Sequence, residues 1–353
     1  MNNELFPQNP AVIPFAMGQI FHLFPVLREN SIGLVYGEQW AIAEVKEDNV
    51  ELDVFPEEEF ECSICKALNQ KSNSMLFVRS PKSVLMLDWN SKKLEAEFMD
   101  FSKSSGIGIE NTKVIDHSNG IVLSLFFHDD KNMDFHYYFV IDDIFNRKRL
   151  KEVPIPKHIP PLDFFLTPSF VFYQYVWEDF ESPWIVLDND LNETKHPLAD
   201  LLNDYAKKMV FYASRDLVYI SEPLEHALII AYNQITKTDN LYLARWYKEP
   251  EIIPVPFDSS LTNGGSRLVK SPNNNTISPS GKWVYFATGD GSRSPDNHYL
   301  IYLDPQLPQG SLPPFKLKVE GEVSAASWVT KPEALVLYID GKLCVYDLSR
   351  FSP

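Results

Sequence analysis

An all-β fold of repeated four-stranded antiparallel units is what the sequence predicts, on three observations. Short runs rich in β-branched and aromatic residues recur, separated by breaks of Gly, Pro, Asn or Ser. Their rhythm returns about every 40–50 residues. Aromatic residues make up 13% of the chain, with 24 Phe and 16 Tyr, and Pro outnumbers Gly by 26 to 14. Aromatic rings pack well on a pleated, half-buried surface, and prolines suit many short, stiff connections between strands.

The clearest unit is NTISPSGKWVYFATGDGSRSPDNHYLIYLD, residues 275–304. It reads as a strand ending at Ser278, a tight turn over Pro279, Ser280 and Gly281, a strand from Trp283 to Ala287, a polar loop, and a strand from Tyr299 to Leu303. With FKLKV it forms a unit spanning 273–319. Unit one, 19–55, gives QIFHLFPV, SIGLVYG, QWAIAEV and VELDVF. Unit two, 61–100, gives ECSICKAL, SMLFVRS, SVLMLDW and KLEAEFM in the same four beats.

Unit three, 112–155, contains TKVIDHS, a turn at Asn119-Gly120, then IVLSLFF, FHYYFVI and RLKEVPI; Asn-Gly between β-runs is a specific hairpin signal. Unit four, 163–200, shows FVFYQYVW and WIVLD, with its outer strands less regular. PLADLLNDYAKK, residues 197–208, has helical spacing with Leu198, Leu201, Leu202 and Tyr205 on one face, which predicts an inserted helix. Unit five, 216–257, gives LVYIS, ALIIAYN, LYLARWY and EIIPVPF.

Unit seven, 322–348, runs from VSAASWV through EALVLYI to LCVYDL and stops after three strands. PAVIPFA at residues 10–16 matches EIIPVPF in pattern and can supply the fourth. An open edge would leave unpaired N–H and C=O groups, which this pairing covers. The expectation is a single domain over residues 1–353, a seven-bladed β-propeller closed by the N-terminal strand, with six or eight blades as alternatives.

ISPSGKWVYFATGD and AASWVTKPEALVLYIDGKLCVYDLS resemble blades of WD40-like propellers, particularly the TolB-type (PD40) repeat with its S-P-D-G-K-W-I core. Ser278, Pro279, Gly281, Lys282 and Trp283 match that core, and Ser280 stands where the family has Asp. Leu303-Asp304 and Tyr346-Asp347 fall where Trp-Asp would. The resemblance covers two units clearly and implies an architecture without implying an activity.

The formal charge of −16 argues against nucleic-acid binding, which needs clustered Lys and Arg to neutralise phosphates. It suits solubility, or attraction of basic partners or cations. Three cysteines, Cys62, Cys65 and Cys344, are too few and too unevenly placed for a disulfide framework and read as buried thiols rather than zinc ligands. The N-terminus lacks a basic, apolar leader, and no apolar run reaches a membrane span, so the expected address is the cytoplasm and the sequons at Asn192 and Asn274 are chance matches.

The sequence contains no H-E-x-x-H, G-x-S-x-G, P-loop or EF-hand pattern. Gly106-Ile107-Gly108 reads as a flexible connection. In the usual strand order, loops between second and third strands share a face with the links between units. They gather Asp129, Asp130, Asp134, Glu178, Asp179, Glu181, Asp239, Asp290 and Asp296 at one end, with His128, His136 and His298 nearby. Such a rim could dock a basic peptide, or hold Ca²⁺ or Mn²⁺ through oxygen and imidazole ligands, although surface loops are polar in any acidic protein.

The link 258–276 reads as a long loop carrying Arg267 and Lys270, which with Arg293 could form a cationic spot for an anionic group. His117 beside Asp116 is a candidate base or ligand, and more often such a pair is a satisfied core group. Trp177, Trp246 and Tyr247 could anchor a peptide or stack on sugar rings, or cover seams between units.

The favoured reading is a non-catalytic cytoplasmic scaffold, monomeric, binding a protein or peptide across the loop face without a cofactor. The rim would comprise Asp129, Asp130, Asp134, His136, Trp177, Glu178, Asp179, Asp239, Arg267, Lys270, Asp290, Arg293, Asp296 and His298. The alternatives are a lyase or hydrolase acting on carbohydrate or peptide at a channel mouth, and a structural component of a larger assembly.

Overall fold

The computed structural model describes residues 10–26, 28–37, 39–46, 49–55, 65–71, 74–79, 83–88, 93–98, 107–116, 119–129, 135–155, 161–177, 180–181, 183–208, 212–222, 224–233, 235–247, 249–257, 267–270, 277–289, 297–304, 307, 311–349 and 351. Its strands are grouped in seven antiparallel sheets. In chain order, β1 (Ala11–Pro14) is followed by a sheet of β2 (Ile20–Pro25), β3 (Ser31–Tyr36), β4 (Gln39–Val45) and β5 (Val50–Val54).

The second sheet is β6 (Cys65–Lys71), β7 (Ser74–Arg79), β8 (Ser83–Asp88) and β9 (Lys93–Phe98). The third is β10 (Ile107–Asp116), β11 (Ile121–Asp129), β12 (Phe135–Asp143) and β13 (Lys148–Pro154). The fourth contains β14 (Pro161–Leu166) and β15 (Phe170–Trp177), with β16 (Phe180–Glu181) and β17 (Ile185–Asp188) both pairing with β15. Helix α1 (Pro197–Lys208) follows it.

The fifth sheet is β18 (Tyr212–Ser221), β19 (His226–Asn233), β20 (Thr238–Arg245) and β21 (Glu251–Pro254), and the sixth is β22 (Arg267–Lys270), β23 (Trp283–Gly289), β24 (Asn297–Tyr302) and β25 (Phe315–Leu317). The seventh is β26 (Val323–Val329), β27 (Ala334–Ile339) and β28 (Lys342–Asp347), completed by β1. Ala11 stands opposite Val345 and Pro14 opposite Lys342, so the N-terminal strand completes the last sheet as the sequence predicts.

The chain divides into two compact units, Met1–Phe55 with Lys208–Pro353, and Pro56–Lys207. In the first, apolar faces of consecutive sheets meet in three clusters. Leu228, Leu243, Val284 and Ile301 join the fifth sheet to the sixth; Trp283, Leu300, Trp328 and Tyr346 join the sixth to the seventh; Ile13, Leu34, Val336 and Leu343 join the seventh to the first. Full burial of each such side chain stabilises by about 1.5–3 kcal/mol, which makes these seams the source of cohesion. In the second unit Leu125, Phe139, Val171 and Leu187 fill the seam between the third and fourth sheets.

Turn chemistry fixes the registers. Asp340 and Gly341 have φ of 46° and 79°, the left-handed pair that a two-residue hairpin requires. The Asp116 carboxylate accepts the Asn119 backbone N–H at 3.2 Å and its side-chain amide at 2.8 Å, closing the Asn119-Gly120 hairpin. Gly33 lies beneath the Phe24 ring, where a Cβ would stand 1.8 Å from it.

Two expectations about elements are corrected. Ile107 and Gly108 belong to β10, not to a flexible connection, because they pair with His128 and Phe127. Arg267–Lys270 is a strand inside the expected loop 258–276, pairing with β23 from Gly289 to Phe286; Ile277 makes only an isolated bridge to Val284. Helix α1 spans Pro197–Lys208, the inserted helix that the spacing over 197–208 predicts. His196 Nδ1 accepts the Leu198 N–H at 3.1 Å and Pro197 sits at the first helical position, both of which start a helix.

Candidate functional site

The hairpins between second and third strands, with the links between sheets, form the candidate binding end of the first compact unit. At the seventh sheet this end is built from the β27–β28 hairpin and the link from β1 to β2. The Phe15 N–H donates to Gly341 O at 2.9 Å and the Tyr338 hydroxyl to Gly18 O at 3.1 Å. Buried Phe15 packs edge-on against Tyr36 and Tyr338. Pinning this link leaves Met17 59% and Phe21 48% exposed, two large apolar side chains that the sequence reading did not single out.

Beside the hairpin lies a cavity of about 260 Å³, lined by Pro10, Val12, Lys318, Glu320, Ile339, Asp340, Lys342 and Cys344. β25 is only three residues long, and the chain after it packs on the hairpin at Gly321, whose φ is 118° and where a Cβ would stand 2.0 Å from the Asp340 carboxylate. Val12, Ile339 and the buried Cys344 thiol supply apolar surface. Lys318 and Glu320 pair at 3.4 Å, and Asp340 and Lys342 add one charge of each sign. Burial pushes the Cys344 thiol up, and Lys342 only partly opposes it, so the sulfur stays protonated and behaves as a small hydrophobe. The cavity joins residues 10 and 12 to residues 318–344, a juxtaposition with no local signal in the sequence.

The expected rim residues fall in three groups. Asp130, Asp134, Glu178, Asp179, Asp290, Arg293 and Asp296 lie outside the described residues, as do His117 and Cys62. Asp129 ends β11, His128 faces His136 across the β11–β12 ladder, and Trp177 ends β15 opposite Phe180. Glu181 stands opposite Val176 on β16. Arg267 lies at the hairpin end of the sixth sheet, opposite Gly289, and Lys270 three residues deeper, opposite Phe286.

Asp239 and His298 are placed in strands and buried, not on exposed hairpins. The β19–β20 turn closes earlier than its polarity suggests: Asn233 Oδ1 accepts the N–H groups of Ile235 and Thr236, and the Thr236 and Thr238 hydroxyls pair at 2.8 Å. Asp239 then falls within β20 at 0% exposure, leaving Ile235 at the tip at 69%. His298 is 3% exposed, and its Nδ1 shares a 2.7 Å hydrogen bond with the Tyr285 hydroxyl. Asp116 serves its own hairpin. Trp246 is half-buried and Tyr247 is 61% exposed.

Among the described residues no group of three or more His, Cys, Asp or Glu side chains is arranged to hold a metal ion. No described helix is long and apolar enough to cross a membrane.

No family model matches the sequence. No curated protein matches it either. Among solved structures, 1042 chains match. One is the β-propeller domain of Cps50 (Swd1) from Myceliophteria thermophila, at a TM-score of 0.57 and 8% identity, covering 95% of this chain and 98% of that one. At that identity the likeness establishes a β-propeller fold and leaves activity to be argued from the site.

Proposed function

We propose that this protein is a non-catalytic, cytoplasmic binding platform whose seven sheets are the blades of one closed propeller. Near-complete mutual coverage with a solved β-propeller domain supports one ring over the whole chain. The observation that carries the functional reading is the cavity at the β27–β28 hairpin, with Met17 exposed on the adjoining β1–β2 link and Phe21 exposed at the start of β2. Apolar surface from Val12, Ile339 and Cys344 beside charges of both signs suits one apolar side chain of an extended peptide, whose neighbours would meet Lys342 and Asp340.

The net charge of −16 would favour a basic partner at this surface. Apolar anchors give affinity and the acidic surround gives orientation and rate.

The test is affinity capture from native cells with wild type and the double variant Val12→Arg, Lys342→Glu. Both positions are exposed, so the fold should persist and circular dichroism should be unchanged. A protein retained by wild type and lost from the variant, and then bound directly when purified, supports the reading. Equal retention by both places the binding surface elsewhere.

A further inference from the structure

His226 opens β19 and is fully buried. In the ladder it stands opposite Ser221 of β18 and Arg245 of β20, and the Tyr219 ring lies 6.3 Å away at a steep angle. Among the described residues neither Nδ1 nor Nε2 has a hydrogen-bond partner. A neutral imidazole carries one donor and one acceptor, so both are stranded. Orphaned polar groups in a core are uncommon enough to require a reason.

Its ladder partner Ser221 and its ring neighbour Tyr219 border the seam with the sixth sheet. Gly281, in the turn that leads into β23 of the sixth sheet, meets Tyr219, Leu224 and Ser221 of the fifth, and a Cβ there would stand 2.8 Å from the Tyr219 hydroxyl. The Arg245 guanidinium is fixed on the β20 side by Leu307 O at 3.1 Å and by Glu251. Glu222 and Glu225 occupy the adjoining β18–β19 turn, and Lys282 follows Gly281 at the surface. None of these groups bonds the ring.

We propose that His226 is an acid-sensitive latch, and that protonating its buried ring loosens the seam between the fifth and sixth sheets while the seam between the seventh and first stays closed. A neutral ring costs little beside an imidazolium that would have only the Leu224 backbone to offset burial and Arg245. Burial drives this histidine down to about 4, the Leu224 backbone opposing and Arg245 reinforcing the shift. An opened seam exposes the ring to water, where it titrates near 6.5. The closed seam is therefore fully favoured above pH 6.5 and loses that advantage as the pH falls toward 4.

The test is hydrogen exchange by mass spectrometry on the full chain between pH 7.5 and 4.5, corrected for intrinsic rates. Wild type should lose on the order of 50- to 100-fold in protection over residues 219–233 and 283–289, with β26–β28 far less affected. His226→Leu, which keeps apolar packing, should lack this acid-specific loss, and His226→Gln gives a second neutral side chain. Equal pH responses in wild type and variants, or loss spread evenly over all sheets, would overturn the proposal. So would a His226 ring resonance that titrates near 6.5 in the folded wild type.

Discussion

The Ser280 backbone N–H and hydroxyl both donate to the Glu333 carboxylate, at 3.0 and 2.9 Å. This clasp joins the turn of the sixth sheet to the seventh. It explains why the S-P-D-G-K-W-like turn carries Ser at its third position: an Asp there would set one carboxylate against another. Ser280→Asp is expected to destabilise by about 1–2 kcal/mol and Ser280→Ala by less. Glu333→Gln should recover much of the Ser280→Asp loss, read as denaturation midpoints.

Lys113 is 7% exposed, and its ammonium donates to Thr167 O, Phe170 O and Asn189 Oδ1 at 2.9, 3.0 and 2.6 Å. It ties β10 to the turn between β14 and β15 and to the residue following β17. Lys113→Met keeps the stem and removes the donors, so the carbonyl oxygens lose a charged partner in a nearly dry site. The expected cost is about 2–4 kcal/mol, greater than for exposed Lys195→Met, by urea denaturation.

Removing residues 1–16 takes away β1 with Ile13 at 0% and Phe15 at 6% exposure. It also uncovers β28, so cooperative unfolding should be lost. Ile13→Ala, a milder change, is expected to cost about 2–4 kcal/mol. A truncated protein that melts at the wild-type temperature would show that β1 contributes nothing to cohesion.

Burial raises Tyr219 to about 12 and raises Tyr285 and Tyr346 further. Unfolded tyrosine ionises near 10, so the stability these three phenols contribute is intact below pH 10 and falls as pH rises beyond it. Absorbance at 295 nm should show exposed tyrosines titrating reversibly and a later fraction appearing only with loss of ellipticity. Tyr285→Phe should weaken that late phase, while costing about 1–2 kcal/mol at neutral pH by removing the hydroxyl that His298 Nδ1 bonds.

The sheets were largely legible because period-two runs and turn residues mark strands locally: β2–β5 and β18–β21 fall where alternation puts them. β22 escaped because Arg267–Lys270 sits in Gly, Ser and Asn, and its pairing with β23 is tertiary information. Asp239 and His298 were misplaced by equating polarity with exposure, whereas a bonded polar group can be buried. The cavity was illegible for a different reason. Pro10 and Val12 meet Lys342 and Cys344 only once the chain has returned to its beginning, and no local window contains both.

β1 pairs with β28, and the Tyr338 hydroxyl reaches back 320 residues to Gly18. During synthesis, then, Ala11–Pro14 leaves the ribosome long before its neighbour exists. It lacks its native partner while sheet after sheet forms behind it. Such distant closure makes the final step slow, and nascent chains stalled before Lys342 should present Ile13 and Phe15 to chaperones.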